Sequence, residues 1–161
     1  VHPDEDIANW PDDRVWHELR ARLGAGCELS QGPVIEKGIT ELRSSVVEPM
    51  QYGRLFLAGD AAHIVPATGA KGLNLAVGDV QVLAQALAEF FSSGRSGLLA
   101  AYSETCLKRV WRVEHFSWWM TSMLHRFPGD DAFQQRVQRA QLDYAVSSRA
   151  AAMSLAENYV G

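Results

Sequence analysis

The chain has 161 residues, 47% of them hydrophobic and 21% charged, which is enough apolar material for one domain with a sizeable core. A net charge of −4 and a pI near 5.7 run against nucleic acid or an anionic membrane as partner, since both attract basic surfaces. Two cysteines, Cys27 and Cys106, lie far apart with no CxxC or Cys/His ligand spacing. They read as structural thiols of a reducing cytoplasm, with no metal site.

In chain order, the opening VHPDEDIANWPDD is acidic and lacks the basic start and apolar run of a leader. Asp12 or Asp13 is placed to cap a short helix through Leu23, with Val15, Trp16, Leu19 and Leu23 at helical spacing. Gly24–Pro33 reads as a polar loop. Residues 34–48 are β-branched in part and alternate, which predicts one strand or two broken ones. Arg54–Ala58 is a short apolar run followed by Gly59, the pattern of a buried strand. Residues 59–72 have little periodicity, and loops of that length in a compact domain are usually functional.

From Leu73 the period becomes helical through Val80, Leu83 and Leu87, ending at Ser92-Ser93-Gly94. A longer helix is predicted from about Gly97 to His125, stopped by Pro128. A third starts at an Asp130 or Asp131 cap, and a short one covers 147–157. No apolar run of about 18 residues suggests a membrane span. Trp118 and Trp119 point in different directions on a helix, so at least one of them can face a partner subunit.

The chemistry concentrates between Leu55 and Asn74. A strand delivers Gly59 and Asp60 to its end, where ligands of α/β sheets gather. Gly59 lets another backbone or a ligand approach closely, and Asp60 can accept two hydrogen bonds from a diol. The helix start at Gly72, Leu73 and Asn74 carries unpaired N–H groups that favour negative charge, and Lys71 adds a cation. A ligand with a polyol arm and a delocalised anion, such as reduced flavin, suits both ends. Taken singly, each residue has an ordinary reading: Asp60 as a turn or cap, Gly69 and Gly72 as loop glycines, Lys71 as a solvated cation. His63, after the acidic turn, reads as a hydrogen-bonded structural group. Residue chemistry alone therefore defines a polyol and anion site without naming its ligand.

The run GDAAH…P.TGAKGLNLA resembles the second flavin motif of the class A aromatic hydroxylases. Three stretches, 42–76, 116–136 and 156–161, resemble more narrowly the branch of that class acting on 4-hydroxybenzoate. The resemblance implies an α+β fragment of a class A flavin hydroxylase, with a few strands in the first third and then mostly helices. It implies three regions: 1–52 as the end of the substrate-domain sheet with a connecting helix, 53–91 as a flavin-contacting strand–loop–helix, and 92–161 as a helical region.

By the same resemblance, Gly59 and Asp60 bind the ribityl or pyrophosphate part of FAD. The Gly72, Leu73 and Asn74 helix start faces the flavin ring, and Lys71 raises the local positive potential. Tyr159 matches the second tyrosine of a proton relay, and Arg43 lies near the nicotinamide-cofactor path. Where the class commonly has two prolines, this chain has Pro66-Ala67. Ala67 still offers the carbonyl expected to face the substrate hydroxyl, but the fixed φ of proline is lost.

The implied reaction is hydroxylation of 4-hydroxybenzoate to 3,4-dihydroxybenzoate with NADPH and O2 through a flavin hydroperoxide, in a cytoplasmic homodimer. A hydroxylase of another phenol and a flavin-free scaffold domain are the alternatives. No G-x-G-x-x-G occurs in the 161 residues, and Val1 is not a Met. The expectation is therefore a C-terminal piece of a longer enzyme, inactive alone.

Overall fold

The computed structural model describes residues 4–24, 26–40, 42–127 and 129–160. The chain divides into two compact units, Val1–Glu41 and Leu42–Gly161.

In the first unit, Asp6 caps a 3-10 turn at Ile7–Asn9 by accepting from the Ala8 N–H. Helix α1 follows, Asp12–Leu23, with Pro11 at the cap position rather than an aspartate. Asp12 and Asp13 instead fill its first turn, and Arg20 and Arg22 its last. Those charges complement the helix dipole at both ends. Gly24, at φ 80°, ends it. Lys37 donates to the Trp10 carbonyl at 2.8 Å and to the Asp12 carboxylate at 2.7 Å, while Arg14 lies 4.2 Å over the Trp10 ring. None of the α1 residues is buried.

The strands expected over 34–48 reduce to Ser45–Val46, called β1. Residues 27–40 have no regular structure. Alternating side chains make a strand only where a second edge accepts its N–H and C=O groups, and here such an edge meets β1 alone.

The second unit pairs β1 antiparallel with β4, His63–Ile64, in the register Val46 opposite His63. Strands β2, Gln51–Tyr52, and β3, Leu55–Phe56, form a hairpin around Gly53. The predicted buried strand over 54–58 is therefore shorter and half-open. Leu55 is 61% exposed because a two-stranded ribbon covers only one of its faces.

Five helices follow: α2 Gly72–Ser93, α3 Gly97–Ala100, α4 Tyr102–Leu124, α5 Ala132–Ser147 and α6 Arg149–Val160. The single helix expected from Gly97 thus breaks at Ala101. The α4 helix ends with His125 extended, and Pro128 lies outside the described residues. Asp131 and Gln134 cap α5 reciprocally. Gln138 on α5 donates to the Ser122 and His125 carbonyls at the end of α4, at 3.1 and 2.7 Å.

By length and composition alone α2 could cross a membrane, contrary to the sequence expectation. Its alanines, leucines and valines carry Asp79 on a buried face. Leu73, Val77, Val80 and Phe91 are exposed on it.

The core gathers Met50, Ala62, Tyr102 and Cys106. The Tyr102 hydroxyl donates to the Leu57 carbonyl at 2.7 Å, its ring meets Phe56 edge-on, and Ser103 Oγ accepts the Met50 N–H at 2.9 Å. The start of α4 thereby holds the hairpin. Burial first, and then the Asp79 carboxylate, pushes the Cys106 thiol up to about 12, and burial raises Tyr102 as well.

Both acids stay protonated in the folded chain, whereas the unfolded thiol ionises near its ordinary value of 9.0. The stability this contributes is complete below about pH 9 and is lost as pH rises toward about 12. Urea midpoints measured across that window are expected to fall steadily, and less steeply in Cys106→Ala. At about pH 8 a thiol reagent is expected to modify exposed Cys27 and leave Cys106 until the chain unfolds.

Candidate functional site

The loop between β3 and α2 is built around one carboxylate. Asp79, in the second turn of α2, accepts the Gly59 N–H at 3.0 Å and His63 Nε2 at 2.6 Å, both on the same oxygen. Asp79 and His63 are each 2% exposed. Since that oxygen accepts twice, His63 carries its proton on Nε2, and its buried Nδ1 has no partner among the described residues. The two bonds pin both ends of the Gly59–His63 turn to the helix. His63 is thus the hydrogen-bonded structural group that its position suggested.

Gly59 is required there twice over. Its φ is +61°, and a Cβ on it would stand 3.1 Å from the Ala76 Cβ. Asp60, next along the 3-10 turn Gly59–Ala61, is exposed on the outside of this bend.

The chain then packs on α4. Ala67 opens the 3-10 turn Ala67–Gly69 and is exposed. Thr121 donates to the Ser117 carbonyl at 2.7 Å, so the 2.7 Å bond between the two threonine hydroxyls runs from Thr68 to Thr121. Gly69 sits so close to α4 that a Cβ would lie 2.6 Å from Ser117 Oγ. Ala70 is left-handed, at φ 51°, a conformation that costs an ordinary L-residue about 1–2 kcal/mol. That local strain re-aims the chain into α2.

Lys71 occupies the cap position of α2, and no side chain caps the helix. The first helical bond runs from the Leu75 N–H to the Lys71 carbonyl. Among the described residues, the N–H groups of Gly72, Leu73 and Asn74 have no acceptor, and Leu73 is 76% exposed. Lys71 is only 5% exposed. Its ammonium donates to the Tyr159 carbonyl and lies 5.7 Å from the centre of the Tyr159 ring. That ring also meets Phe116 edge-on, and the Tyr159 hydroxyl has no partner among the described residues.

A cavity of about 250 Å³ adjoins this point, lined by Lys71, Asn74, Arg109, Arg112 and Asn158 with apolar neighbours and no carboxylate. In a chain of net charge −4, three cations around one cavity beside a helix N-terminus make a locally positive site.

The expected residues therefore fall into linked groups. Gly59 and Asp60 lie beside the second turn of α2, and Lys71 joins the start of that helix to Tyr159. Ala67 belongs to the turn that rests on α4, and Arg43 is exposed before β1. Sequence reasoning missed Asp79 and the Arg109–Arg112 pair. A lone acid on the apolar face of α2 was the available signal for Asp79. Among the described residues no group of three His, Cys, Asp or Glu could hold a metal.

An open helix N-terminus, a cation beside it and an exposed carboxylate one bend away could together meet a ligand with an anionic end and a polyol arm. Residues 1–117 match the model of the FAD binding domain family, and the chain belongs to that family. It is 54% identical to p-hydroxybenzoate hydroxylase of Acinetobacter baylyi over 159 residues, which are 98% of this chain and 39% of that protein. It is 34% identical to tetracenomycin B2 monooxygenase-dioxygenase of Streptomyces olivaceus over 98 residues, 60% of this chain and 18% of that protein. It is 48% identical to rifampicin monooxygenase of Streptomyces venezuelae over 91 residues, 56% of this chain and 19% of that protein. The chain thus spans about two-fifths of the length of the first relative and less of the others.

Two substitutions test the architecture. Asp79→Ala strands two buried donors and is expected to cost about 3–5 kcal/mol in urea unfolding. Gly69→Ala forces Ser117 away and is expected to cost about 1–3 kcal/mol. A loss below about 0.5 kcal/mol in either would contradict the packing described.

Proposed function

We propose that this chain forms the flavin-facing part of an FAD-dependent aromatic monooxygenase that hydroxylates 4-hydroxybenzoate to 3,4-dihydroxybenzoate with NADPH and O2. The observation that carries this is the start of α2: three N–H groups without acceptors, beside a buried lysine, in a chain of the FAD binding domain family. The residues fit the cofactor, since those N–H groups and the positive cavity suit an electron-rich ring edge while Asp60 offers sugar-type hydroxyls a carboxylate with no partner among the described residues.

When bound, FAD supplies the electron transfer from NADPH and the activation of O2. The chain supplies position and charge. Leu73 and Asn74 N–H groups hold the ring edge, Lys71 favours its negative form, and Gly59 allows the close approach. The Ala67 carbonyl accepts from the substrate hydroxyl and orients it. The Tyr159 hydroxyl, which has no partner among the described residues and is half exposed, serves as the second tyrosine of the relay: it accepts the phenolic proton handed on by the first as it releases its own to solvent, which activates the ring carbon beside the substrate oxygen. The working enzyme is a cytoplasmic homodimer.

A second reading is a hydroxylase of another phenol, favoured by the relatives whose names carry other substrates. A panel of phenols assayed with the complete reading frame separates the two, by which compound couples NADPH oxidation to a catechol product. These 161 residues contain no G-x-G-x-x-G, so the chain alone is expected to bind FAD weakly and turn nothing over. In the complete protein, Asp60→Ala is expected to weaken FAD binding by about 10- to 100-fold, the worth of charge-assisted hydrogen bonds. Unchanged FAD affinity, or purification without flavin, would instead favour a flavin-free scaffold.

A further inference from the structure

We propose that Lys71 is a positioning residue for Tyr159: its buried ammonium latches the last turn of α6 to the start of α2. The observations converge on this from both ends. At the α2 end, a cation at the cap position has the wrong sign for the helix dipole, and Lys71 makes no side-chain cap. Helix stability therefore does not account for it. A solvated role does not either, because only 5% of the residue is exposed.

The ammonium is instead directed across 88 residues of sequence to the Tyr159 carbonyl, with the Tyr159 ring as its second neighbour. A charge-assisted hydrogen bond and a ring face are both suited to a cation taken out of water.

At the other end, α6 packs chiefly against α5, with lighter contact to α4. None of its residues is buried, and the Asn158 side chain turns back to the Ser154 carbonyl within the helix. The Phe116 ring, T-shaped to Tyr159, is a further contact on it. The cavity beside Lys71 is bordered by Asn158 and Val160 of that same turn, so the ammonium meets α6 at the edge of a cavity rather than in a packed interior. Lys71 thereby sets where the Tyr159 hydroxyl sits, by holding its backbone while Phe116 sets the tilt of its ring.

This inference rests on the reading of Tyr159 as a proton-relay group, and the test separates the two. Hydrogen exchange on the chain itself is measured for wild type, Lys71→Met and Lys71→Arg. The amides of 156–160 are expected to exchange about tenfold faster or more in Lys71→Met. Protection is expected to recover in Lys71→Arg, which keeps a donor and a ring-stacking cation, while α2 amides beyond its first turn stay protected in both. Equal protection of 156–160 in wild type and Lys71→Met overturns the latch, whatever the cofactor. So does failure of Lys71→Arg to recover any protection while α2 remains folded.

In the complete flavoprotein with 4-hydroxybenzoate bound, the ionisation of the phenol is then followed spectrally in Lys71→Met, Tyr159→Phe and the double variant. Positioning predicts that Lys71→Met adds little once Tyr159→Phe is present. Full additivity would mean that Lys71 acts by its charge alone and would overturn the proposal. Lost protection of 156–160 with no change of phenol ionisation in Tyr159→Phe would sustain the latch and remove Tyr159 from the relay.

Discussion

The Asp79 carboxylate organises the second unit. A buried anion is costly unless its lone pairs are filled, and here the Gly59 N–H and His63 Nε2–H fill them, with the Cys106 thiol beside it. Each donor comes from a different stretch of chain. His63 lies in β4 and so carries β1 with it through their pairing. Gly59 ends the segment that leaves the β2–β3 hairpin, and Cys106 belongs to α4. One oxygen in the second turn of α2 therefore fixes the register between a helix, a ribbon and a turn. Asp60 and the loop to Lys71 take their places from that arrangement, so exposed groups inherit their geometry from a carboxylate that is itself buried.

The two ends of the helical region show opposite treatments of the same backbone problem. Every helix start leaves donors unpaired. At α5 the chain closes them with a reciprocal Asp131–Gln134 box, and the helix is thereby a scaffold element. At α2 the donors are left open, no oxygen side chain is offered, and a cation is placed beside them. The contrast within one sequence sets a closed helix start against one whose donors, among the described residues, remain available to an acceptor.

The sequence made the helices legible because their apolar period survives burial: α2 ends at Gly94, and α5 starts at Asp131, as the caps indicated. It also marked the 59–74 segment, since glycines at 59, 69 and 72 and the lack of period are local features. The strands were legible in place but not in length: Ser45–Val46 and Leu55–Phe56 fall inside the expected runs 34–48 and 54–58, and the chain has a few strands in its first third before mostly helices, as expected. Residues 34–40 have the composition of a strand, and Leu55 looks buried, but both depend on a neighbouring edge or layer that composition does not encode. The break at Ala101 within one apolar period was likewise invisible. The Lys71–Tyr159 contact spans 88 residues, and no local pattern reports a contact at that distance. Asp79 lay between these extremes, as an acid on an apolar face whose partners only the folded chain reveals.

The open start of α2 also sets selection for folding against selection for ligand at a single codon. Serine, threonine, asparagine or aspartate in place of Lys71 would give the helix the cap it lacks, which ordinarily adds about 1 kcal/mol. A population screened for thermal resistance alone would drift toward those residues at position 71 and occupy one of the open N–H groups as it did so. Libraries built to stabilise this scaffold should therefore hold position 71 constant, so that a gain in helix capping is not mistaken for a neutral change.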